Sequence, residues 1–171
     1  MRATKPKRIM IFGRPGTGKS TFALQLHNKS KIPLYHLDKY FFKENWVERD
    51  YQDFLDIQQS IASKDEWIID GNATKSLEMR WERADLVLFF NYSKLICLYR
   101  LLKRLFYKNK EIDDRAEGCN ERVRLVLLKY MWGFENRVKA QIEGLKEKYP
   151  SANMIEIKND SDLDKIKLSL F

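Results

Sequence analysis

Gly13-Arg14-Pro15-Gly16-Thr17-Gly18-Lys19-Ser20 lies between an apolar run, Ile9-Met10-Ile11-Phe12, and a helix-like stretch, Thr21-Phe22-Ala23-Leu24-Gln25-Leu26-His27. The order is strand, glycine loop, helix, with G-x-x-x-x-G-K-[ST] at the junction. Glycines let successive backbone amides turn inward as a nest around phosphate oxygens. The helix behind the loop adds its unpaired first-turn amides and the positive end of its dipole. In this setting Lys19 reaches the β- and γ-phosphates of a nucleoside triphosphate, and the Ser20 hydroxyl holds Mg²⁺. Gly13, Arg14, Pro15, Gly16, Thr17, Gly18, Lys19, Ser20 and Thr21 are therefore the expected phosphate-binding set. The competing reading is an ordinary glycine turn beside a surface lysine.

Outward from this loop, apolar strands alternate with amphipathic segments. Residues 7–12 read as a strand, 18–28 as a helix, and 32–37 as a short second strand ending at Asp38. An aromatic-rich loop follows, with Tyr40, Phe41, Phe42 and Trp46. Phe54, Ile57 and Ile61 recur at three and four, which predicts a helix over 50–63. Trp67-Ile68-Ile69 is a third strand running into Asp70-Gly71-Asn72, a short helix spans Leu77 to Arg83, and residues 85–90 form a fourth strand. A helix is expected over Ser93 to Tyr107. Residues 108–120 lack apolar periodicity and read as a loop or lid. One long helix is expected over 121–148, on the three/four spacing from Val123 to Leu145. A fifth strand at 153–157 and a helix from Asp162 to Leu170 close the chain. Such alternation predicts an α/β domain with a parallel sheet covered on both faces.

At 171 residues the chain reads as one domain, without repeats or a linker. Apolar residues make up 44%, which fits a globular protein rather than a disordered one. No apolar run is long enough to span a membrane, and the run after the basic Met1 to Arg8 segment is too short for a signal peptide. Cys97 and Cys119 lack metal-ligand spacing and read as reduced thiols, which places the protein in the cytoplasm. His27 and His36 give no metal pattern and read as structural. The net charge is +8, and residues 94–149 carry fourteen Lys/Arg against eight Asp/Glu. Such a surplus invites polyanions, either nucleotide phosphates or nucleic acid.

Ligands of doubly wound sheets bind outside the carboxyl ends of strands. The glycine loop, Asp38 and Asp70 all fall there. Asp70 is placed to hold the water shell of Mg²⁺ beside Ser20. Asp38 is placed to take the proton of an acceptor hydroxyl, or to orient it. For each the alternative is a carboxylate capping the next turn. Phosphoryl transfer also needs cationic groups on the migrating phosphoryl, and arginine's planar fork suits it. The candidates are Arg14, Arg80, Arg100, Arg104, Arg115, Arg122, Arg124 and Arg137, with Arg100 and Arg104 one helical turn apart. Phe42 and Trp46 are candidates for stacking on an acceptor ring, or for lid or core packing.

The motifs together resemble the adenylate-kinase-like P-loop kinases, and within them the bacterial topology modulation protein family. The carrying residues are Gly13 to Thr21, Tyr35-His-Leu-Asp38-Lys with Trp46, Trp67-Ile-Ile-Asp70-Gly-Asn72, Leu77-x-x-Arg80-x-x-Arg83-Ala-Asp85, Cys97-Leu-Tyr-Arg100-x-x-x-Arg104 and Ala116-Glu-Gly-Cys119. The resemblance extends to about residue 157. It implies a P-loop NTPase fold: a five-stranded parallel sheet in order 2-3-1-4-5, flanked by helices, with a helical lid. It implies ATP and Mg²⁺ as cofactors, a Walker B role for Asp70, an acceptor-binding region at about 38–63, and an arginine-bearing lid at about 108–120. Adenylate kinases usually carry Asp-Gly-Phe-Pro-Arg after strand three. This chain has Asp70-Gly71-Asn72-Ala73-Thr74, so the AMP-clamping arginine is missing unless Arg80 replaces it.

The expected function is an ATP/Mg-dependent small-molecule kinase. Lys19, Asp38, Arg100, Arg104 and Arg115 would carry the chemistry. Asp38, Phe42, Trp46, Asn72, Arg80 and Arg137 would hold a nucleotide, nucleoside or other small acceptor. The alternatives are a nucleotide-binding protein that associates with DNA through its basic 94–149 segment, and a plain ATPase switch. The second lacks any feature that places a catalytic water.

Overall fold

The computed structural model of the chain describes residues 5–106 and 125–170, with the side chains at 46, 104–106 and 125–126 outside the description. Five strands form one parallel sheet: β1 (Arg8–Gly13), β2 (Leu34–His36), β3 (Trp67–Asp70), β4 (Leu86–Phe90) and β5 (Asn153–Ile157). Their order is β2-β3-β1-β4-β5, as the P-loop reading requires. The helices between them are α1 (Lys19–Ser30), α2 (Leu37–Phe41), α3 (Tyr51–Ala62), α4 (Leu77–Trp81), α5 (Lys94–Phe106), α6 (Leu125–Trp132), α7 (Phe134–Lys148) and α8 (Asp160–Leu170).

The inner strands β1, β3 and β4 are apolar at nearly every position because both faces of the sheet are covered there. Successive side chains alternate between two cores. Met10, Phe12, Trp67, Ile69, Val87 and Phe89 pack with Phe54 and Ile61 of α3, Trp81 of α4 and Phe134, Val138 and Ile142 of α7. Ile9, Ile11, Ile68, Leu86, Leu88 and Phe90 pack with Phe22 and Leu26 of α1, Cys97 and Leu101 of α5 and Ile166 of α8. Each large side chain buried this way contributes about 1.5–3 kcal/mol relative to exposure. The two layers fix the sheet rigidly, and its carboxyl edge collects the glycine loop, His36, Asp70 and Asn91.

Two local expectations change. The aromatic loop after Asp38 is shorter than expected, because Leu37–Phe41 forms α2 and Glu44–Trp46 a 3-10 turn. The single helix expected over 121–148 is, in its described part, two helices that break at Gly133. In an unbroken helix the Tyr130 and Met131 carbonyls would accept from amides four residues on. Here Met131 O accepts from Arg14 Nη1 at 2.9 Å, and Tyr130 O accepts from Arg137 Nη2. Apolar spacing continues straight across the break, so periodicity alone hides it. Glycine lowers the helix propensity there by about 1 kcal/mol, and two guanidiniums satisfy the carbonyls.

Candidate active site

The glycine loop leaves β1 at Gly13, whose φ is 140°. A Cβ there would lie 2.2 Å from the Phe90 carbonyl oxygen, so only glycine lets the loop start this close to β4. Arg14 N then donates to that same Phe90 O at 2.9 Å. At the other end Gly18 takes the left-handed conformation (φ 91°) as N-cap of α1. Nothing lies within 4 Å of where its Cβ would be. The first turn of α1 has no side-chain cap and no acidic residue. Its amides and dipole are thus left for an external anion. Lys19 Nζ and Thr17 Oγ1 both donate to Arg14 O, at 3.1 and 2.9 Å, which folds the lysine back across the loop.

The neighbouring strand end supplies the acid. Asp70 is 4% exposed and closes β3, whose register pairs it with His36 of β2 and Ile11 of β1. Asp70 Oδ2 accepts from His36 Nδ1 at 2.9 Å. Its Oδ1 is buried and has no hydrogen-bond partner among the described residues. A buried carboxylate oxygen without a donor is costly, so it marks a place for a cation or its water. On this test Asp70 fits a cation; Ser20, half-buried in the first turn of α1, is the other residue expected to hold Mg²⁺. Among the described residues no cluster of three or more metal-ligating side chains forms. A two-residue protein contribution is the usual situation for Mg²⁺ that keeps waters and phosphates as its other ligands.

Asp38, Asn72 and Arg137, expected to hold an acceptor, fall on α2, on the turn after β3 and on α7. Asp38 is exposed in the first turn of α2. Asn72 Oδ1 accepts from Gly13 N at 3.0 Å, tying the β3 turn to the glycine loop. Tyr130, at the end of α6, meets this group from above. Burial raises its hydroxyl pKa; Arg137, Thr74 and Asn72 draw it down, and Asp38 pushes it up. The Arg137 guanidinium stacks 4.4 Å from the Tyr130 ring. Asp38, Asn72, Thr74, Tyr130 and Arg137 therefore act on one small region. Phe42 packs edge-on against Phe41 at 4.8 Å and bridges to Glu48, so it serves the wall of the 38–63 region.

Three of the arginines expected near phosphate do other work. Arg14 is 1% exposed, and its fork bonds Met131 O, Asn91 Oδ1 (3.1 Å) and Glu135 Oε2 (3.0 Å). Arg80 is fully buried; it donates to the carbonyls of Gly71 (2.8 Å), Asn72 (2.9 Å) and Ala73 (3.2 Å). Burial pushes the Arg80 guanidinium down to about 9, against the opposing pull of Asp70. It clamps a turn in which Ala73 has φ 29°, a value that a side chain rarely adopts. Arg100 donates to Thr17 O at 3.0 Å and pairs with both carboxylate oxygens of Asp160 at 2.9 and 3.0 Å. It braces the loop from behind. The corrections share one cause. An arginine close to a glycine loop has many buried backbone carbonyls to satisfy, and sequence spacing does not say which way its fork points. Arg115, Arg122 and Arg124, and the side chains of Trp46 and Arg104, lie outside the description.

His36, Thr74, Tyr130 and Asp160 are the contributors that sequence reasoning missed. His36 left a signal: it sits two residues before Asp38, at the carboxyl end of its strand. Tyr130 left none, because its spacing fits an ordinary apolar stripe.

No protein-family model matches the sequence, and no curated protein matches it. Solved structures do. Shikimate kinase from Bacteroides thetaiotaomicron shares 16% identity over 96% of this chain and 98% of that one, with a TM-score of 0.57. Shikimate kinase from Aquifex aeolicus shares 17% over 95% of each chain, with a TM-score of 0.52. A sugar kinase from Janibacter sp. shares 12% over 96% of this chain and 93% of that one, with a TM-score of 0.53. At such identities the likeness establishes the P-loop NTPase fold over nearly the whole chain.

Proposed function

We propose that the protein is an ATP-dependent phosphotransferase acting on a small hydroxyl- or phosphate-bearing acceptor. The observation that carries this reading is the pairing of an uncapped, acid-free start of α1 with an unpartnered buried oxygen of Asp70 at the neighbouring strand end. One half suits polyphosphate and the other suits its cation. The fold likeness to shikimate and sugar kinases supports the same reading.

In this account the triphosphate lies in the nest from Gly13 to Thr21. Lys19 leaves Arg14 O for the β- and γ-phosphates. Ser20 and Asp70 would hold Mg²⁺, which supplies neutralisation of the phosphate charge. Asp38 orients the acceptor hydroxyl and takes its proton as the acceptor oxygen bonds to the γ-phosphorus. The bond from that phosphorus to the bridging oxygen breaks, and ADP leaves with the electron pair. Asn72, Thr74, Tyr130 and Arg137 form the opposite wall of the acceptor site. Arg104 and Arg115 remain the candidates for the charge of the transferring phosphoryl, because Arg100 is engaged with Asp160 and Thr17. The resemblance to topology modulation proteins names no acceptor. Arg100, one of the cations of the DNA-associated alternative, is engaged with Asp160. No helix among the described residues is long and apolar enough to cross a membrane.

A panel of nucleosides, nucleotides, hydroxy acids and polyols with γ-labelled ATP tests the proposal. Transfer of label to one acceptor class, lost in Asp38→Asn, is the expected result. No labelled product from any acceptor, together with unchanged ATP binding in Lys19→Ala, overturns it.

A further inference from the structure

Arg14 joins two parts of the molecule that the chemistry needs to move together. Its carbonyl oxygen receives Lys19 Nζ at 3.1 Å. Its side chain crosses the core to the α6–α7 break, where Nη1 holds Met131 O at 2.9 Å and Nη2 holds Glu135 Oε2 at 3.0 Å. The break carries Tyr130 and Arg137 toward the acceptor side, and Arg137 caps the Tyr130 carbonyl one residue before the carbonyl that Arg14 caps. One residue of the donor loop therefore has its main chain on the lysine that must turn to phosphate and its fork on the break that Tyr130 and Arg137 flank.

We infer that Arg14 is a positioning residue, which sets the α6–α7 break, and with it Tyr130 and Arg137, according to the state of the donor loop. This rests on the nucleotide reading of the loop. The physical basis is bidentate geometry. A guanidinium at 1% exposure has no water to fall back on, so a shift of the Arg14 main chain must move its fork or break its bonds. Met131 and Glu135 stand on opposite sides of Gly133, so their separation changes when the break flexes. Asn72 makes a second link from the loop, toward the Tyr130 hydroxyl.

Amide hydrogen exchange reads the coupling. Wild type, Arg14→Lys and Glu135→Gln are each measured alone and with a non-hydrolysable ATP analogue plus Mg²⁺, following peptides that cover 13–21 and 127–137. In wild type the analogue slows exchange at both, by at least about fivefold at 127–137. Arg14→Lys keeps one positive charge but cannot hold three acceptors, so the response at 127–137 disappears while that at 13–21 stays. Glu135→Gln, changed at an exposed position, shows the same pattern in weaker form and stands in if Arg14→Lys does not fold. The inference is overturned if wild type responds only at 13–21, or if both folded variants keep the response at 127–137. It is also overturned if Arg14→Lys folds and loses both responses together, since Arg14 is then part of the nucleotide site itself. A wild type that responds at neither peptide contradicts the nucleotide reading, a distinct failure.

Discussion

His36 Nδ1 and Asp70 Oδ2 lie 2.9 Å apart at the carboxyl ends of adjacent parallel strands, which leaves Asp70 Oδ1 buried and unpartnered. The hydrogen bond restrains the carboxylate, so in the Mg²⁺ reading its second oxygen is oriented before any cation arrives. A hydrogen-bonded neighbour of this kind is how proteins orient a metal-binding carboxylate.

Asp70→Asn is therefore expected to remove the Mg²⁺ dependence of nucleotide binding while leaving binding in EDTA within about threefold of wild type, a residual change of less than 1 kcal/mol. His36→Phe, which removes the donor and keeps a ring, weakens the Mg²⁺ effect by about tenfold or more. Calorimetric titration of ADP with and without Mg²⁺ measures both. A full Mg²⁺ effect in Asp70→Asn contradicts the metal assignment.

Arg80 predicts a stability effect. Replacement by Met removes a buried cation and takes the guanidinium donors from the carbonyls of Gly71 and Asn72, while Ala73 O keeps those of Ser76 N and Ser76 Oγ. Lost donors to buried carbonyls cost about 1–3 kcal/mol each at most, and relaxation of the turn recovers part of this, so Arg80→Met is expected to cost about 3 kcal/mol in urea unfolding. An effect below 1 kcal/mol would show that the turn after β3 does not depend on its clamp.

Much of this was legible in the sequence, and the boundary has physical causes. The strand–helix alternation, the glycine loop and the strand-end acids follow from local patterns: apolar runs, glycines and a carboxylate at the end of Trp67-Ile-Ile-Asp70; the strand order came only with the family resemblance. The faces of the sheet follow from the two-residue alternation that sends Met10 and Ile11 into different cores. The directions of Arg14, Arg80 and Arg100 were not legible, because a guanidinium reaches about as far toward a neighbouring helix as toward a ligand. Nor was the Gly133 break, since Tyr130, Met131, Phe134 and Val138 keep helical spacing through it.

Asp85 contributes to the acid limb of stability. Burial pushes its carboxyl up, but hydrogen bonds from the Arg8 guanidinium and from the Arg8 and Lys7 amides outweigh that and hold it below the ordinary carboxylate range. A depressed folded pKa stabilises the protein above the unfolded value and is lost as pH falls through the folded one. Urea midpoints of wild type and Asp85→Asn should thus differ most at neutral pH and converge as pH drops below about 4. A constant gap down to pH 2.5, roughly a unit and a half below the usual Asp pKa, would remove Asp85 from the account.

Tyr130 separates the acceptor wall from the donor loop. Once an acceptor is in hand, Tyr130→Phe is expected to raise the acceptor KM about tenfold through loss of a buried hydroxyl contact, with nucleotide affinity unchanged. Steady-state kinetics with each substrate varied in turn shows the split. A change confined to the ATP KM would place Tyr130 on the donor side.

The central claim is that the loop from Gly13 to Ser20 binds a nucleoside triphosphate through the first turn of α1 and Lys19. Titration of Mg·ATP into wild type and Lys19→Ala, with folding verified by circular dichroism, tests it most directly. The account predicts saturable one-to-one binding by wild type and a loss of at least about tenfold, or 1.4 kcal/mol, in Lys19→Ala. Equal affinity in the two proteins, or no heat of binding in wild type, would contradict it.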